Sequence, residues 1–242
     1  MAKSILIVED ESDKCIFEAI IRHIKKEDSL EVFPEQNTEI EYVIKSDESN
    51  VEKPSGLIDA LNNLTEGFSK QHITRVGIIR DIDFNTLESR ILLVNNAIRS
   101  AYKIIYGELK NVNQLTTIQL IDKDTQREYK IDFACHFVSL NGSGEIEDIL
   151  KSIKCKPSPI ADCVDEHLPN CLIASNQELK DKDLVKLWLN HYQRYDTLPK
   201  NKRKSPFTEM THIMKNRTEI FDFDNNLKEL IELKSFLRMM SE

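Results

Sequence analysis

Ser4-Ile5-Leu6-Ile7-Val8 runs directly into Glu9-Asp10-Glu11, and this apolar stretch with an acidic end decides how the rest of the chain is read. A continuous run rich in β-branched residues suits a strand covered on both faces, as in a parallel sheet. Behind it Ile16, Phe17, Ile20, Ile21 and Ile24 recur at helical spacing, and Ser12 or Asp13 can cap the first turn. Strand, turn and helix in that order predict an α/β protein.

The same alternation continues downstream. A strand is expected over residues 40–44, then a helix marked by Leu57, Ile58, Leu61, Leu64 and Phe68, then a strand over 73–80. Leu87, Ile91, Val94, Ile98, Tyr102 and Ile105 predict one long amphipathic helix over 87–106. Segments 114–122 and 127–140 read as an antiparallel hairpin around Asp122-Lys123-Asp124-Thr125, and Gly142-Ser143-Gly144 opens a helix over 145–153. Residues 156–180, with Pro157, Pro159 and Pro169, read as an irregular connection. Leu184, Leu187, Trp188 and Tyr192 give one helical stripe beyond it and Leu227, Leu230, Ile231, Leu233 and Leu237 another, with Trp188 read as a packing residue. The expected organisation is a domain over 1–155, a central mainly parallel sheet flanked by helices with an antiparallel hairpin, and a helical C-terminal extension over 156–242 packed on it.

Composition narrows the setting. At 242 residues and 40% hydrophobic content the chain can bury a sizeable core. It contains no run of about 18 apolar residues and begins without a signal peptide, so a cytoplasmic location with no membrane partner is expected. The five cysteines lack a C-x-x-C pair and read as reduced thiols. With 41 acidic and 33 basic residues the net charge is −8, which opposes nonspecific attraction to nucleic acid, so any such contact must be local. Lys200, Lys202, Arg203 and Lys204 form the densest basic stretch and are the candidate phosphate-contacting residues.

In open α/β sheets, polar residues at the carboxyl ends of parallel strands converge on one crevice. Three such ends are acidic: Glu9, Asp10, Glu11 and Asp13 after the first strand, Asp81 and Asp83 after the strand over 73–80, and Glu145, Glu147 and Asp148 after the last. Extended backbone would point Asp81 and Asp83 to one face. Crowded carboxylates repel unless a cation compensates, and hard oxygen donors without His or Cys suit Mg2+ or Mn2+ rather than zinc. The matching chemistry is phosphodiester hydrolysis.

These residues resemble a known family. Ile5-Leu6-Ile7-Val8-Glu9-Asp10-Glu11-Ser12-Asp13 is similar to the opening of the topoisomerase-primase (Toprim) domain, and Val76-Gly77-Ile78-Ile79-Arg80-Asp81-Ile82-Asp83 resembles its strand ending in D-x-D. Gly144-Glu145-Ile146-Glu147-Asp148-Ile149-Leu150 resembles an element of Toprim-like proteins related to the nuclease half of overcoming-lysogenization-defect proteins. The resemblance implies that Glu9 serves as general acid or base or as a metal ligand, that Asp81 and Asp83 hold Mg2+, and that Asp13, Glu147 and Asp148 complete a second metal position. It further implies a nuclease acting on nucleic acid, DNA before RNA, beside an ATPase partner and in defence against foreign DNA such as phage; a homodimer is also expected. In one respect the chain departs from the pattern: Asp10 stands where the family places a glycine.

Two rivals belong to other classes. A response-regulator receiver also opens with a strand and an acidic pair, but its phosphoaccepting aspartate follows the pair more closely than Asp81 does. A noncatalytic interaction module would use the same carboxylates as solvated helix caps.

Overall fold

The computed structural model describes residues 3–9, 11–24, 55–82, 85–177, 180–203, 214 and 217–241. The strand expected over 40–44 lies outside them. Among the described residues five strands form one mixed sheet, β1 (Lys3–Ile7), β2 (Ile73–Asp81), β3 (Tyr102–Tyr106), β4 (Thr116–Asp122) and β5 (Glu128–Val138), in the order β1-β2-β5-β4-β3. β1, β2 and β5 run parallel, with Ile7 opposite Ile78 and Asp81 opposite Val138, whereas β4 and β3 add on antiparallel. The β4–β5 hairpin appears where the turn residues place it. The Asp122 carboxylate accepts the Thr125 N–H at 2.8 Å and so closes the turn.

Alternation along the parallel strands separates two apolar layers. Ile5, Ile7, Val76, Ile78, Phe133, Cys135 and Phe137 face α2 (Ser55–Lys70) and α3 (Leu87–Ala101). Leu6, Val8, Ile79, Ala134 and Val138 face the opposite layer. That layer is built from α1 (Glu11–Ile24), α4 (Ile146–Ser152), α6 (Asp181–His191) and the C-terminal helix α7 (Lys228–Ser241). Helices after residue 155 therefore share a core with the strands. Gly77 permits this close approach, since a Cβ there would meet Leu6 and crowd Met240 of α7.

Two elements differ from expectation. The helix predicted over 87–106 stops at Ala101, and Tyr102–Tyr106 turns into edge strand β3 paired with β4. The helical period does run through Tyr102 and Ile105. Aromatic and β-branched residues also pair well in strands, however, and the free edge of β4 decides between the two. Residues 156–180 are largely the helix α5 (Pro159–Ala174) rather than an irregular connection. Pro159 sits at its first position, where the missing N–H costs nothing. Its cap comes from far along the chain: Asp196 accepts the N–H groups of Ile160 and Ala161 at 3.0 and 2.9 Å.

Trp188 fastens this region. It is fully buried and stacked on Tyr192 with ring centroids 5.1 Å apart, and its Nε1 donates to Asp162 of α5 at 2.9 Å. Tyr192 follows α6 in a π-helical turn (Tyr192–Asp196), and its hydroxyl donates to the Ile220 carbonyl at 2.8 Å. Among the described residues no helix is long and apolar enough to cross a membrane.

Because Trp188 is the only tryptophan and lies in the layer shared with the sheet, its fluorescence should report unfolding of the whole molecule. Urea transitions followed by Trp188 emission and by far-UV circular dichroism should coincide. Trp188→Ala should lower stability by about 3–5 kcal/mol. Separated midpoints would show that the C-terminal helices unfold on their own.

Candidate acidic site

Parallel pairing sets the carboxyl ends of β1, β2 and β5 side by side, and the chain leaves each through a polar segment. Asp81 is the last residue of β2. Its carboxylate accepts the backbone N–H of Ile146, the first residue of α4, at 3.2 Å. An N–H at the start of a helix has no partner within the helix, so the carboxylate satisfies it and ties β2 to α4.

The approach to α4 is specified locally. Gly144 has φ +90, a conformation that favours glycine, and a Cβ there would collide with the Asp148 carboxylate. Asp148 accepts the Glu145 N–H at 2.8 Å, the reach-back half of a helix-capping arrangement. Held in this way, Glu145 and Glu147 turn into the site beside Asp81. All three are buried, and each offers an oxygen within 4.8 Å of the other two.

Further carboxylates surround this group. Asp13 on α1 is buried as well, and Glu9, just past β1, pairs with the buried Arg80 at 3.0 Å. Burial pushes the Asp81 carboxyl well above its ordinary value of 3.8, and the charges of Asp13, Glu9, Glu147 and Glu145 push it in the same direction. Basic side chains reach in from α6. Lys186 Nζ lies 2.8 Å from Glu145 Oε2 and 3.9 Å from Glu147 Oε1, and Lys182 Nζ lies 3.8 Å from Glu145 Oε1. Lys186 therefore meets the buried Glu145 Oε2 as its counter-ion. Burial alone would lower the Lys186 pKa, but its contact with Glu145 and the charges of Glu147, Glu145 and Asp81 hold it above the usual lysine range. A cleft of about 210 Å³, lined by Leu140, Gly144, Glu145, Asp148, Lys182 and Val185, opens beside Glu145.

Of the residues singled out from sequence, Asp81 and Glu147 share one oxygen group, and the charges of Asp13 and Glu9 act on Asp81. Asp148 serves the helix cap, and Glu145 joins the oxygen group with Asp81 and Glu147. The capping spacing of Glu145 and Asp148 carried that distinction in the sequence; Lys182 and Lys186 carried no signal of their own. Asp83 and Lys204 lie outside the described residues. Lys200 and Lys202 are exposed in a 3-10 turn. Arg203 is turned inward and donates to the carbonyls of Leu198 and Tyr195 at 3.1 and 2.7 Å.

Fold and site together define an α/β protein with a buried carboxylate cluster where its parallel strands end. The chain belongs to the family described as protein of unknown function (DUF3226), whose model matches residues 3–232. No curated protein and no solved structure matches it.

The shift at Asp81 has a definite consequence for stability. A carboxyl whose pKa is raised by folding favours the folded state below its ordinary pKa, and that contribution is lost as pH rises through the folded value. Asp81→Asn can still accept from Ile146 and cannot ionise. The metal-free variant should therefore gain in melting temperature relative to metal-free wild type as pH is raised from about 4 toward neutrality. A difference independent of pH would mean that Asp81 is not under this electrostatic load.

Proposed function

We propose that the protein is a Mg2+- or Mn2+-dependent phosphodiester-cleaving enzyme, a nuclease in the broad sense, with an acidic site of the Toprim type. The observation that carries this reading is the convergence of Asp81, Glu145 and Glu147 within 4.8 Å of one another in a buried setting. The donor set fits such an ion. Its members are carboxylate oxygens without His or Cys, which favours a hard cation over zinc. Oxygens gathered within 4.8 Å could hold one such ion after small side-chain adjustments. The like charges acting on Asp81 are a load that a divalent cation relieves.

Asp81, Glu145 and Glu147 would hold the ion, with the buried Asp13 as a further candidate. A divalent ion held there would supply polarisation of a phosphoryl oxygen and a more acidic water. Glu9 is kept in place by Arg80 at the end of β1, positioned to take or give a proton there. Lys182 and Lys186 place positive charge at the rim, which favours approach of a phosphodiester despite the net charge of −8. DNA as substrate before RNA, an ATPase partner, a role in defence and a cytoplasmic location follow from the resemblance and the sequence alone.

A noncatalytic module is the second reading. What favours it is the internal compensation by Arg80 and Lys186, which lets the carboxylates persist without an ion. Incubation with plasmid and single-stranded DNA plus Mn2+ separates the two readings. The wild type should cleave, while Asp81→Ala and Glu147→Gln should lose at least the roughly 10–100-fold that removal of an outer-shell partner costs a metal site. Glu9→Ala should lose activity while retaining Mn2+-dependent thermal stabilisation. No cleavage and no stabilisation by Mn2+ in the wild type would favour the module.

A further inference from the structure

Beside the acidic group the fold builds a small cleft between the approach to α4 and the start of α6. Its volume is about 210 Å³, below the roughly 300–1,000 Å³ of pockets that enclose a drug-sized ligand. The space suits one ring-sized group. Leu140 and Val185 give it apolar walls, and Asp148, Asp181 and Lys182 add polar lining. Glu145 belongs both to this lining and to the oxygen group with Asp81 and Glu147, so the cleft adjoins the candidate metal position.

One wall is preset by the backbone. Asn141 and Gly142 have φ +55 and +86, and Leu140 and Ser143 exchange N–H to carbonyl bonds across them at 2.7 and 3.3 Å. Positive φ at both central residues gives the tight two-residue turn that Asn-Gly favours. The Asn141 N–H donates to Glu229 of α7 at 3.1 Å, which fixes the turn to the helical layer. Asn141, Gly142 and Ser143 are exposed, and a Cβ on Gly142 would meet nothing within 4 Å, so packing at the tip does not dictate this shape. What the turn holds in place is Leu140 at the cleft. The facing wall is the start of α6, where Asp181 and Lys182 share a face with Val185 one turn on, and α6 packs against α4.

We propose that this cleft receives one unpaired nucleobase of the strand whose phosphodiester meets the acidic group, which makes single-stranded nucleic acid the substrate class. The proposal rests on the phosphodiester-cleaving reading given above and names its substrate. Apolar side chains on two sides suit the faces of a base, and a base enters such a slot only where its strand is unpaired or gives up its pairing. Ionised carboxylates accept hydrogen bonds and donate none, so Asp148 and Asp181 select bases that carry an exocyclic amino group. Adenine, cytosine and guanine carry one, whereas thymine and uracil do not. Lys182 joins the two places: it lines the cleft and its Nζ lies 3.8 Å from Glu145 Oε1, so the phosphate attached to the bound base passes a positive charge.

Fluorescence anisotropy of labelled oligo-dC, oligo-dA and oligo-dT, each alone and as a duplex with its complement, tests the proposal on full-length protein with Mn2+. Glu9→Ala serves as the background, so that the strands stay intact. Oligo-dC and oligo-dA should bind roughly tenfold more tightly than oligo-dT and than any duplex. Adding Val185→Trp, which fills the cleft, should bring all three strands to the oligo-dT level and leave the rise in melting temperature with Mn2+ unchanged; Val185→Phe takes its place if that chain does not fold. Adding Asp181→Ala should narrow the gap between oligo-dC and oligo-dT. The mononucleotide dCMP should compete far more weakly than oligo-dC, and equal competition would make a free nucleotide the ligand and overturn the strand. Equal affinity for all strands, a preference that survives filling the cleft, or no binding of any strand overturns the proposal, while cleavage by the wild type would leave the nuclease reading standing. Preferential binding without cleavage by the wild type sustains the cleft and sinks the catalytic reading.

Discussion

Carboxylates gathered in a poorly solvated place repel one another and lose hydration, and a fold can keep them there only by providing hydrogen-bond donors and positive charge. The end of this sheet is organised around that constraint. Asp81 receives the first free N–H of α4, Glu9 receives Arg80, and Glu145 receives Lys186 from a different helix. Each donor comes from an element that also packs the apolar layer under the site. Core and cluster therefore depend on each other: the sheet register sets Asp81 beside α4, and α6 must dock on α4 before Lys186 can reach Glu145.

Much of the framework could be read from residue order. The apolar runs of β1 and β2, the helical spacing in α1 and α2, and the turn at Asp122 each state their structure locally, because a strand covered on both faces and a helix covered on one leave different periods. The convergence of acidic strand ends follows from parallel pairing and needs no further information. β3 could not be read in this way. Tyr102 and Ile105 continue the period of α3, and only the presence of β4 as a partner turns them into a strand. α5 was hidden by its prolines, and its cap, Asp196, is remote in sequence.

The site itself was half legible. Asp13, Asp81, Glu147 and Glu9 stand out as acidic residues at strand ends, whereas the choice between Glu145 and Asp148 turns on a helix cap. An acidic pair three residues apart behind a glycine fills two roles, one carboxylate serving the backbone and the other left for the site. Lys186 illustrates a different limit. Nothing in the stretch around it distinguishes it from a surface lysine, and its partner is fixed only by the packing of α6 on α4.

The central proposal is that the convergence of Asp81, Glu145 and Glu147 serves to hold a divalent cation. Crystals grown with Mn2+ and measured at the manganese absorption edge test it most directly. The predicted result is an anomalous peak coordinated by Asp81, Glu145 and Glu147. Well-ordered carboxylates with no anomalous peak among them would contradict it.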